Sequence, residues 1–332
     1  MNIIITGAGG FLGNQLAREL QQLGKLHLQP GEPARISRLT LVDQCFSDAA
    51  RQGFDSQTIV EGDIADPTFL ASLISSEKPF ALFHLAAMVS GDGERDFDGC
   101  MRVNLDATRS ILELCRAAGS RPRLVFASSL AAFGGAIMPP VVSDSTKLLP
   151  QTTYGMTKVM GELLINDYSR KGYLDGRAAR LPTVFIRPGK PNAAASSFAS
   201  GLFREPLAGQ PCDLPVSRSQ GVPLLGYRRV IHNFIQLMQC DPALLGDDRT
   251  VTMPSTQFEV GKMIEVLEQI ARERGLTLGP IHDRPDPVIE RIVAGWPIGT
   301  EAARGESLGM RADDSVRQVI EEYLDDFGTS AK

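Results

Sequence analysis

The first half of the chain alternates short apolar runs with segments whose apolar residues recur at helical spacing. The first two apolar runs are 2–6 and 39–43, and both are rich in β-branched residues. Such runs are typical of strands that are buried on both faces of a parallel sheet. The same pattern predicts strands at 57–63, 80–85, 123–129 and 180–187, with helices at 67–76, 97–119 and 152–170. We therefore predict an α/β fold with a doubly wound parallel sheet.

The alternation of strands and helices stops after residue 188. The stretch from Gly189 to about Gly246 is rich in proline, serine and alanine, and amphipathic helices follow at 258–274 and 316–327. A strand predicted at 249–253 returns to the sheet, whereas 131–150 is predicted to be a loop. The expected organisation is a first domain over 1–188, completed by the strand near 248–254. A smaller C-terminal α+β domain over 189–332 is expected to bind the substrate.

A glycine-rich turn joins the first strand to the first helix. Gly7, Gly10 and Gly13 have the spacing Gly-x-x-Gly-x-x-Gly, and the apolar residues after them repeat at helical spacing. A turn of this kind lets backbone N–H groups approach a pyrophosphate at the positive end of a helix. Because a strand precedes and a helix follows, we interpret it as a dinucleotide site of the Rossmann type. The alternative is a tight turn that binds no ligand.

An acidic residue, Asp43, ends the second predicted strand. At this place an acidic side chain accepts hydrogen bonds from the adenosine ribose and repels a 2′-phosphate, which favours NAD over NADP. Asp43 lies 30 residues after Gly13, where about 20 is usual. A loop insertion at 27–37 accounts for the excess. The alternative is that Asp43 only caps a loop.

Tyr154 and Lys158 are candidates for proton transfer. They lie four residues apart, so both project from one face of the predicted helix. A phenol has a pKa of about 10, and a nearby ammonium group lowers it. We expect Lys158 and an oxidised nicotinamide to lower the pKa of Tyr154. The strand at 123–129 delivers Ser128 and Ser129 to the same region. The alternative is an exposed pair of helix residues.

Composition excludes several classes of function. The chain has 332 residues, is 43% hydrophobic and carries a net charge of −5, without a basic patch for nucleic acid. It has no apolar stretch long enough to span a membrane and no signal peptide, so a cytoplasmic location is expected. Five widely spaced cysteines indicate reduced thiols, and no metal site is predicted. His84 lies within an apolar run and is interpreted as a hydrogen-bonded core residue.

These motifs together resemble the extended short-chain dehydrogenase/reductase family over nearly the whole chain. The resemblance rests on Thr-Gly-x-x-Gly-x-x-Gly, on Tyr-x-x-x-Lys and on Arg187-Pro188-Gly189, together with Asp43 and Ser129. It implies that Tyr154 is the acid/base and that Ser129 hydrogen-bonds the reacting oxygen. It also implies that Lys158 holds the cofactor ribose and lowers the pKa of Tyr154.

The expected contacts extend beyond these residues. The cofactor contacts are expected from Gly7, Gly10, Phe11, Leu12, Gly13, Asp43, Asp63, Ile64, Leu85, Ala86, Ala87, Asn104, Tyr154, Lys158 and Pro188. The substrate contacts are expected from Ser129, Tyr154, Asn192, Ser197 and Arg228. The resemblance further implies a homodimer formed by helices at about 98–118 and 154–170.

The segment 187–200 and the later Tyr227-Arg-Arg-Val resemble one subgroup of the family. Its members oxidise the four-carbon sugar acid D-erythronate to 2-dehydro-D-erythronate with NAD. Compact polar groups such as Ser197 suit hydroxyls, and Arg228 or Arg229 suits a carboxylate. The alternatives are a flexible loop for the serine- and alanine-rich run and a solvated surface residue for each arginine. Leu130-Ala131 replaces the Asp-Glu of family dehydratases, which argues against dehydration. The alternatives are a nucleotide-sugar epimerase with tightly bound NAD and a non-catalytic NAD-sensing protein.

Overall fold

The structure is a computed structural model that describes residues 1–28, 33–55, 58–77, 81–189 and 196–328. The strands are β1 (Asn2–Thr6), β2 (Lys25–Leu26), β3 (Ala34–Arg35), β4 (Arg38–Asp43), β5 (Ile59–Glu61), β6 (Ala81–His84), β7 (Arg123–Ser129), β8 (Val141–Ser143), β9 (Asp175–Leu181), β10 (Thr183–Phe185), β11 (Cys212–Leu214), β12 (Gly221–Gly226), β13 (Thr250–Thr252), β14 (Thr256–Glu259), β15 (Ile281–Asp283) and β16 (Gly299–Glu301).

The helices are α1 (Phe11–Leu23), α2 (Asp48–Arg51), α3 (Pro67–Glu77), α4 (Ser90–Arg95), α5 (Phe97–Cys100), α6 (Ala107–Ala118), α7 (Thr153–Arg170), α8 (Ser197–Leu207), α9 (Tyr227–Gln239), α10 (Val260–Arg274), α11 (Pro287–Ala294), α12 (Ala303–Ser307) and α13 (Val316–Phe327). A π-helical turn, Met101–Asp106, joins α5 to α6.

Seven parallel strands form the central sheet in the order β13-β9-β7-β6-β1-β4-β5. The apolar run of β1 lies between β4 and β6, and Ile3, Ile4 and Ile5 have no exposed surface. After β5 the chain crosses to the other side of β1, which creates a crevice at the carboxyl ends of β1 and β6. Ligands of doubly wound sheets bind at such a reversal of strand order. The predicted α/β fold and the returning strand are confirmed.

One predicted strand was placed wrongly. The prediction at 180–187 covers parts of two strands, because Pro182 separates β9 from β10 and the two belong to different sheets. The apolar pattern did not predict β9 in full, because this strand carries three charged residues. Two of them, Asp175 and Arg177, form an ion pair, and the Arg177 side chain has no exposed surface. The predicted loop 131–150 likewise contains β8, which pairs with β16.

A second, smaller unit contains the sheet β10-β12-β14 together with helices α8, α10 and α13. Its core includes Phe185, Phe203 and Leu267, all fully buried. Helix α9 also belongs to the predicted C-terminal domain, yet its apolar face packs into the core of the central sheet. The chain therefore passes between the two units more than once, and the boundary at residue 188 is only approximate.

A buried ion pair joins helix α7 to the central sheet. Arg180 on β9 donates from Nε and Nη2 to the two carboxylate oxygens of Glu162 on α7, at 3.0 and 2.8 Å. The hydroxyl of Ser128 on β7 also donates to Glu162 Oε1, at 2.5 Å. This contact fixes where the first turns of α7 lie relative to the end of β7.

Candidate active site

The glycine-rich turn lies at the crevice between β1 and β6. Gly10 is the N-cap of α1, and the first N–H groups of a helix have no partner within it. A Cβ on Gly13 would clash with the carbonyl oxygen of Gly7. Gly7 itself has φ +76°, and a Cβ there would lie 2.6 Å from the backbone nitrogen of Ala86. The backbone of this turn, which has no side chains at Gly7, Gly10 and Gly13, therefore lies close to the strands. We call the turn the glycine cradle, and its shape fits a pyrophosphate.

The Asp43 carboxylate is held next to this turn at the end of β4. The N–H of Gly9 donates to Asp43 Oδ2 at 2.9 Å, and the N–H of Gln44 donates to Oδ1 at 2.7 Å. Asp63 accepts from Arg102 Nη1 at 3.0 Å, and Ile64 beside it is buried. The acidic groups therefore lie at the ends of adjacent strands, as expected for the adenosine side of a dinucleotide site.

Asn104 supports the segment after β6 and does not line the cavity. The N–H of Met88 donates to Asn104 Oδ1 at 2.7 Å, and Asn104 Nδ2 donates to the carbonyl oxygen of Met88 at 3.0 Å. Leu85 and Ala87, just before Met88, line the cavity. Asn104 was predicted to contact the cofactor, and this stays a prediction; its buried side chain fixes the backbone at Met88 from the π-helical turn.

Ser129, Tyr154 and Lys158 line one cavity of about 380 Å³. Ser129 ends β7, and Tyr154 lies in the first turn of α7, whose N-cap Thr152 accepts from the N–H of Gly155. Ser129 and Tyr154 are hydrogen-bonded through their side chains. The Lys158 ammonium group lies 5.4 Å from the centre of the Tyr154 ring and 4.7 Å from that of Phe126. The structure therefore brings the three predicted residues together.

Burial dominates the electrostatics of Tyr154 and Lys158. Burial raises the pKa of Tyr154, while the hydrogen bond from Ser129 and the charge of Arg187 act to lower it. Burial also lowers the pKa of Lys158 to about 8, and the neighbouring Cys100 and Glu162 act in the opposite direction. The predicted lowering of the Tyr154 pKa by Lys158 together with an oxidised nicotinamide stays a prediction; the Lys158 ammonium group lies over the face of the ring. Arg187 is a cation whose charge acts to lower the pKa of the phenol.

The far side of the cavity comes from the second unit of the chain. Ile292, Trp296 and Pro297 form an apolar wall, and Arg187 and Ser196 add polar groups. The sequence indicated Arg187 only as part of a motif, and it gave no signal for the wall. Ile292 lies in α11 and the other two residues directly follow it, and this part of the chain reaches the cavity only through tertiary packing.

Three residues predicted to contact the substrate and one predicted to contact the cofactor remain, and those that the structure describes do not line the cavity. Asn192 lies outside the described residues. Ser197 begins α8 directly after the cavity residue Ser196. Arg228 does not line the cavity, since its guanidinium donates to both carboxylate oxygens of Asp326 at 2.5 and 3.0 Å. Pro188 is half-buried and directly follows the cavity residue Arg187.

The family model described as the NAD dependent epimerase/dehydratase family matches residues 3–228. The chain belongs to this family. Membership implies a nicotinamide dinucleotide as cofactor and a small molecule as substrate. Membership of this family agrees with the glycine cradle and with the group formed by Ser129, Tyr154 and Lys158.

Two full-length relatives carry the name D-erythronate dehydrogenase. The protein from Cupriavidus necator is 46% identical over 99% of each chain. The protein from Haemophilus influenzae is 40% identical, over 98% of this chain and 99% of its own. A crystal structure named as the nucleoside-diphosphate-sugar epimerase from Agrobacterium tumefaciens superposes with a TM-score of 0.89. It is 39% identical and the match covers 100% of this chain and 96% of that one.

The described residues contain neither a candidate membrane span nor a candidate metal cluster. None of the helices in this part of the chain is long and apolar enough to cross a membrane. The described residues also contain no group of three or more histidine, cysteine, aspartate or glutamate side chains placed to hold a metal ion.

His84 is hydrogen-bonded inside the core, as the sequence predicted. Its Nδ1 pairs with Thr6 Oγ1 at 2.7 Å and its Nε2 with Thr108 Oγ1 at 2.9 Å. Burial, and then the charge of Lys158, lower the pKa of His84 to about 3 from 6.5. The folded protein therefore keeps this imidazole neutral below the pH at which the unfolded chain protonates it.

We predict that His84 makes the fold sensitive to acid. Between pH 6.5 and about 3 the unfolded state binds the extra proton, so the free energy of unfolding falls as the pH falls. The contribution approaches about 1.4 kcal/mol per pH unit inside this window. In urea unfolding at pH 7, 6, 5 and 4, the free energy of unfolding should depend less steeply on pH in His84→Gln than in the wild type. The exposed His282 provides the control His282→Gln, and equal slopes for both variants would contradict the prediction.

Proposed function

We propose that this protein is an NAD-dependent dehydrogenase that oxidises a short sugar acid, with D-erythronate as the substrate and 2-dehydro-D-erythronate as the product. One observation carries the proposal. A phenol, a serine hydroxyl and an arginine line one cavity of about 380 Å³ that begins at the glycine cradle. The names of the two full-length relatives support the choice of sugar acid.

The cofactor would be held by groups at the ends of two parallel strands, β1 and β4, and by a side chain of helix α7. Gly7, Gly10 and Gly13 would face the pyrophosphate, and Asp43 would accept hydrogen bonds from the adenosine ribose. The negative charge of Asp43 disfavours a 2′-phosphate, which supports NAD over NADP. Lys158 lies beside the Tyr154 ring at the inner end of the cavity, where it would hold the other ribose. When bound, the oxidised nicotinamide supplies the hydride acceptor for the reaction.

Tyr154 would remove the proton of the substrate hydroxyl. Ser129, hydrogen-bonded to the phenol, would hold the same oxygen and orient it. Burial opposes ionisation of the phenol, so the positive charge of Arg187 and the Ser129 hydrogen bond support its deprotonated form. General acid–base assistance of this kind contributes a factor of about 10² to 10⁴. The remaining acceleration comes from holding two reactants in place.

Arg187 is the group we assign to the substrate carboxylate. Its charge acts on Tyr154, and its side chain lines the cavity from the side of the second unit. A guanidinium presents a fork of donors that matches a carboxylate. Arg187 replaces the predicted Arg228 in this role, because Arg228 is bound to Asp326.

The direct test is turnover of D-erythronate by the purified protein. We expect NADH to accumulate with D-erythronate and NAD, and little reduction with NADP. Tyr154→Phe should lower kcat by about 10² to 10⁴-fold, the share of general acid–base catalysis, while NAD still binds. Tyr173→Phe, at a tyrosine outside the cavity, is the matched control. Near-normal turnover in Tyr154→Phe, or interconversion of nucleotide sugars without net NADH, would refute the proposal.

A second prediction concerns recognition of the carboxylate. Arg187→Met should raise KM for the sugar acid by about 10- to 100-fold, the range for a lost hydrogen bond to a charged group. Arg187→Lys should recover only part of this loss, because an ammonium group lacks the planar fork. KM for NAD should change less than KM for the acid. A larger increase in Arg228→Met than in Arg187→Met would contradict the assignment.

We also propose a homodimer formed through α5 and α7. Phe97, Met160 and Leu163 lie on these two packed helices and are 55%, 37% and 62% exposed. Large apolar side chains grouped on neighbouring helices are typical of a protein interface. A second copy of this chain fits them through a two-fold axis, since a symmetric contact needs one self-complementary patch.

Leu163→Glu is predicted to separate the subunits. Placing a charge in the centre of an apolar interface costs several kcal/mol unless the charge is paired. Light scattering after size exclusion should give about twice 35.9 kDa for the wild type and the single mass for the variant. Leu276→Glu, at a residue that is 41% exposed on the other unit, should leave the dimer intact. A monomeric wild type would disprove the interface.

A further inference from the structure

Helix α13 reaches the glycine-rich turn through a cluster of aromatic rings. Phe11, in that turn, lies 5.1 Å from the ring centre of Tyr227 and 6.1 Å from that of Phe327, the last residue of α13. The rings of Tyr227 and Phe327 are 5.8 Å apart. The three rings thus form a closed group, and each contacts the other two.

The end of α13 is fixed beside α9 by one carboxylate. The Tyr227 hydroxyl donates to Asp326, and Arg228 donates to both oxygens of the same carboxylate. Tyr227 is almost fully buried, so its ring and hydroxyl have a single well-defined position. Asp326 therefore orients the last turn of α13 so that Phe327 faces Phe11.

Phe11 is placed to transmit this contact to the cofactor site. It is the first residue of α1, between the N-cap Gly10 and Leu12, and all three line the cavity. The N–H groups of this first turn are the ones that would face a pyrophosphate. On its other side the turn packs so closely that Gly13 admits no side chain. Movement of the turn is therefore limited by Gly7 on one side and by the aromatic group on the other.

We propose that Phe327 and Asp326 are positioning residues for the dinucleotide: the end of α13 holds the glycine-rich turn in its binding geometry. The inference rests on the proposed dinucleotide site, but not on the identity of the substrate. It also gives Arg228 a role, because Arg228 and Tyr227 together hold Asp326. Preorganised binding groups raise affinity by reducing the ordering that binding requires.

The test is NAD affinity measured by titration calorimetry without substrate. Phe327→Ala should raise the NAD dissociation constant about two- to tenfold, the factor that corresponds to a lost aromatic pair. Phe327→Leu should give a smaller increase. Asp326→Asn keeps all three rings and should also raise the NAD dissociation constant. It is the second test of the proposal if Phe327→Ala does not fold. The control is Asp325→Asn, at the exposed neighbouring residue.

Thermal unfolding with and without NAD separates positioning from stability. Loss of positioning should reduce the stabilisation that NAD confers, since this depends on the dissociation constant. A variant that unfolds at a lower temperature but binds NAD as tightly as the wild type would overturn the inference. A wild type that binds no NAD would instead overturn the proposed dinucleotide site itself.

Discussion

The buried carboxylate of Glu162 holds together the elements that carry the candidate chemistry. It lies one turn after Lys158 on α7 and binds Arg180 on β9 and Ser128 on β7, next to Ser129. Glu162 and Arg180 are only 3% and 4% exposed. A buried charge is tolerated only when its partners are complete, and removal of one partner costs about 3 to 5 kcal/mol. Helix α7 therefore cannot slide along the sheet without leaving a charge uncompensated, so the spacing of Ser129 and Tyr154 is fixed by the fold.

The burial that fixes the positions of Tyr154 and Lys158 also changes the pKa values of both side chains. Removing Tyr154 and Lys158 from water disfavours their charged forms, which raises the pKa of the phenol and lowers that of the amine. The ring of Phe126 gives the Lys158 ammonium group a favourable face in place of water. Arg187 adds a positive charge near the phenol from the second unit. The charge that acts to lower the pKa of Tyr154 thus comes from a residue that is far from it in sequence.

The parts of the site that are local in sequence could be predicted, whereas those assembled by tertiary packing could not. The glycine turn and Tyr-x-x-x-Lys follow from short spacings on one strand and one helix, and the structure places both at one crevice. Strand β9 was placed wrongly because its buried residues include charged side chains in ion pairs. Such residues do not follow the apolar pattern expected of a core strand. The wall at Trp296 carries no motif at all. Arg228 or Arg229 was predicted to bind the carboxylate and Arg187 stood only within a motif, because only the fold shows that Arg228 meets Asp326 and that Arg187 lines the cavity.

The second unit contacts both the cavity and the glycine-rich turn. Its residues Ile292 and Trp296 line the cavity, and α13 touches the glycine-rich turn through Phe327. A cavity between two packed units keeps its size only while their contact persists, because neither unit alone supplies all of its walls. Tyr227 begins the helix that packs on the central sheet and also contacts the end of α13. The same packing that bounds the cavity therefore also supports the glycine-rich turn, so under the proposed function a change in the second unit is expected to affect substrate and cofactor binding together.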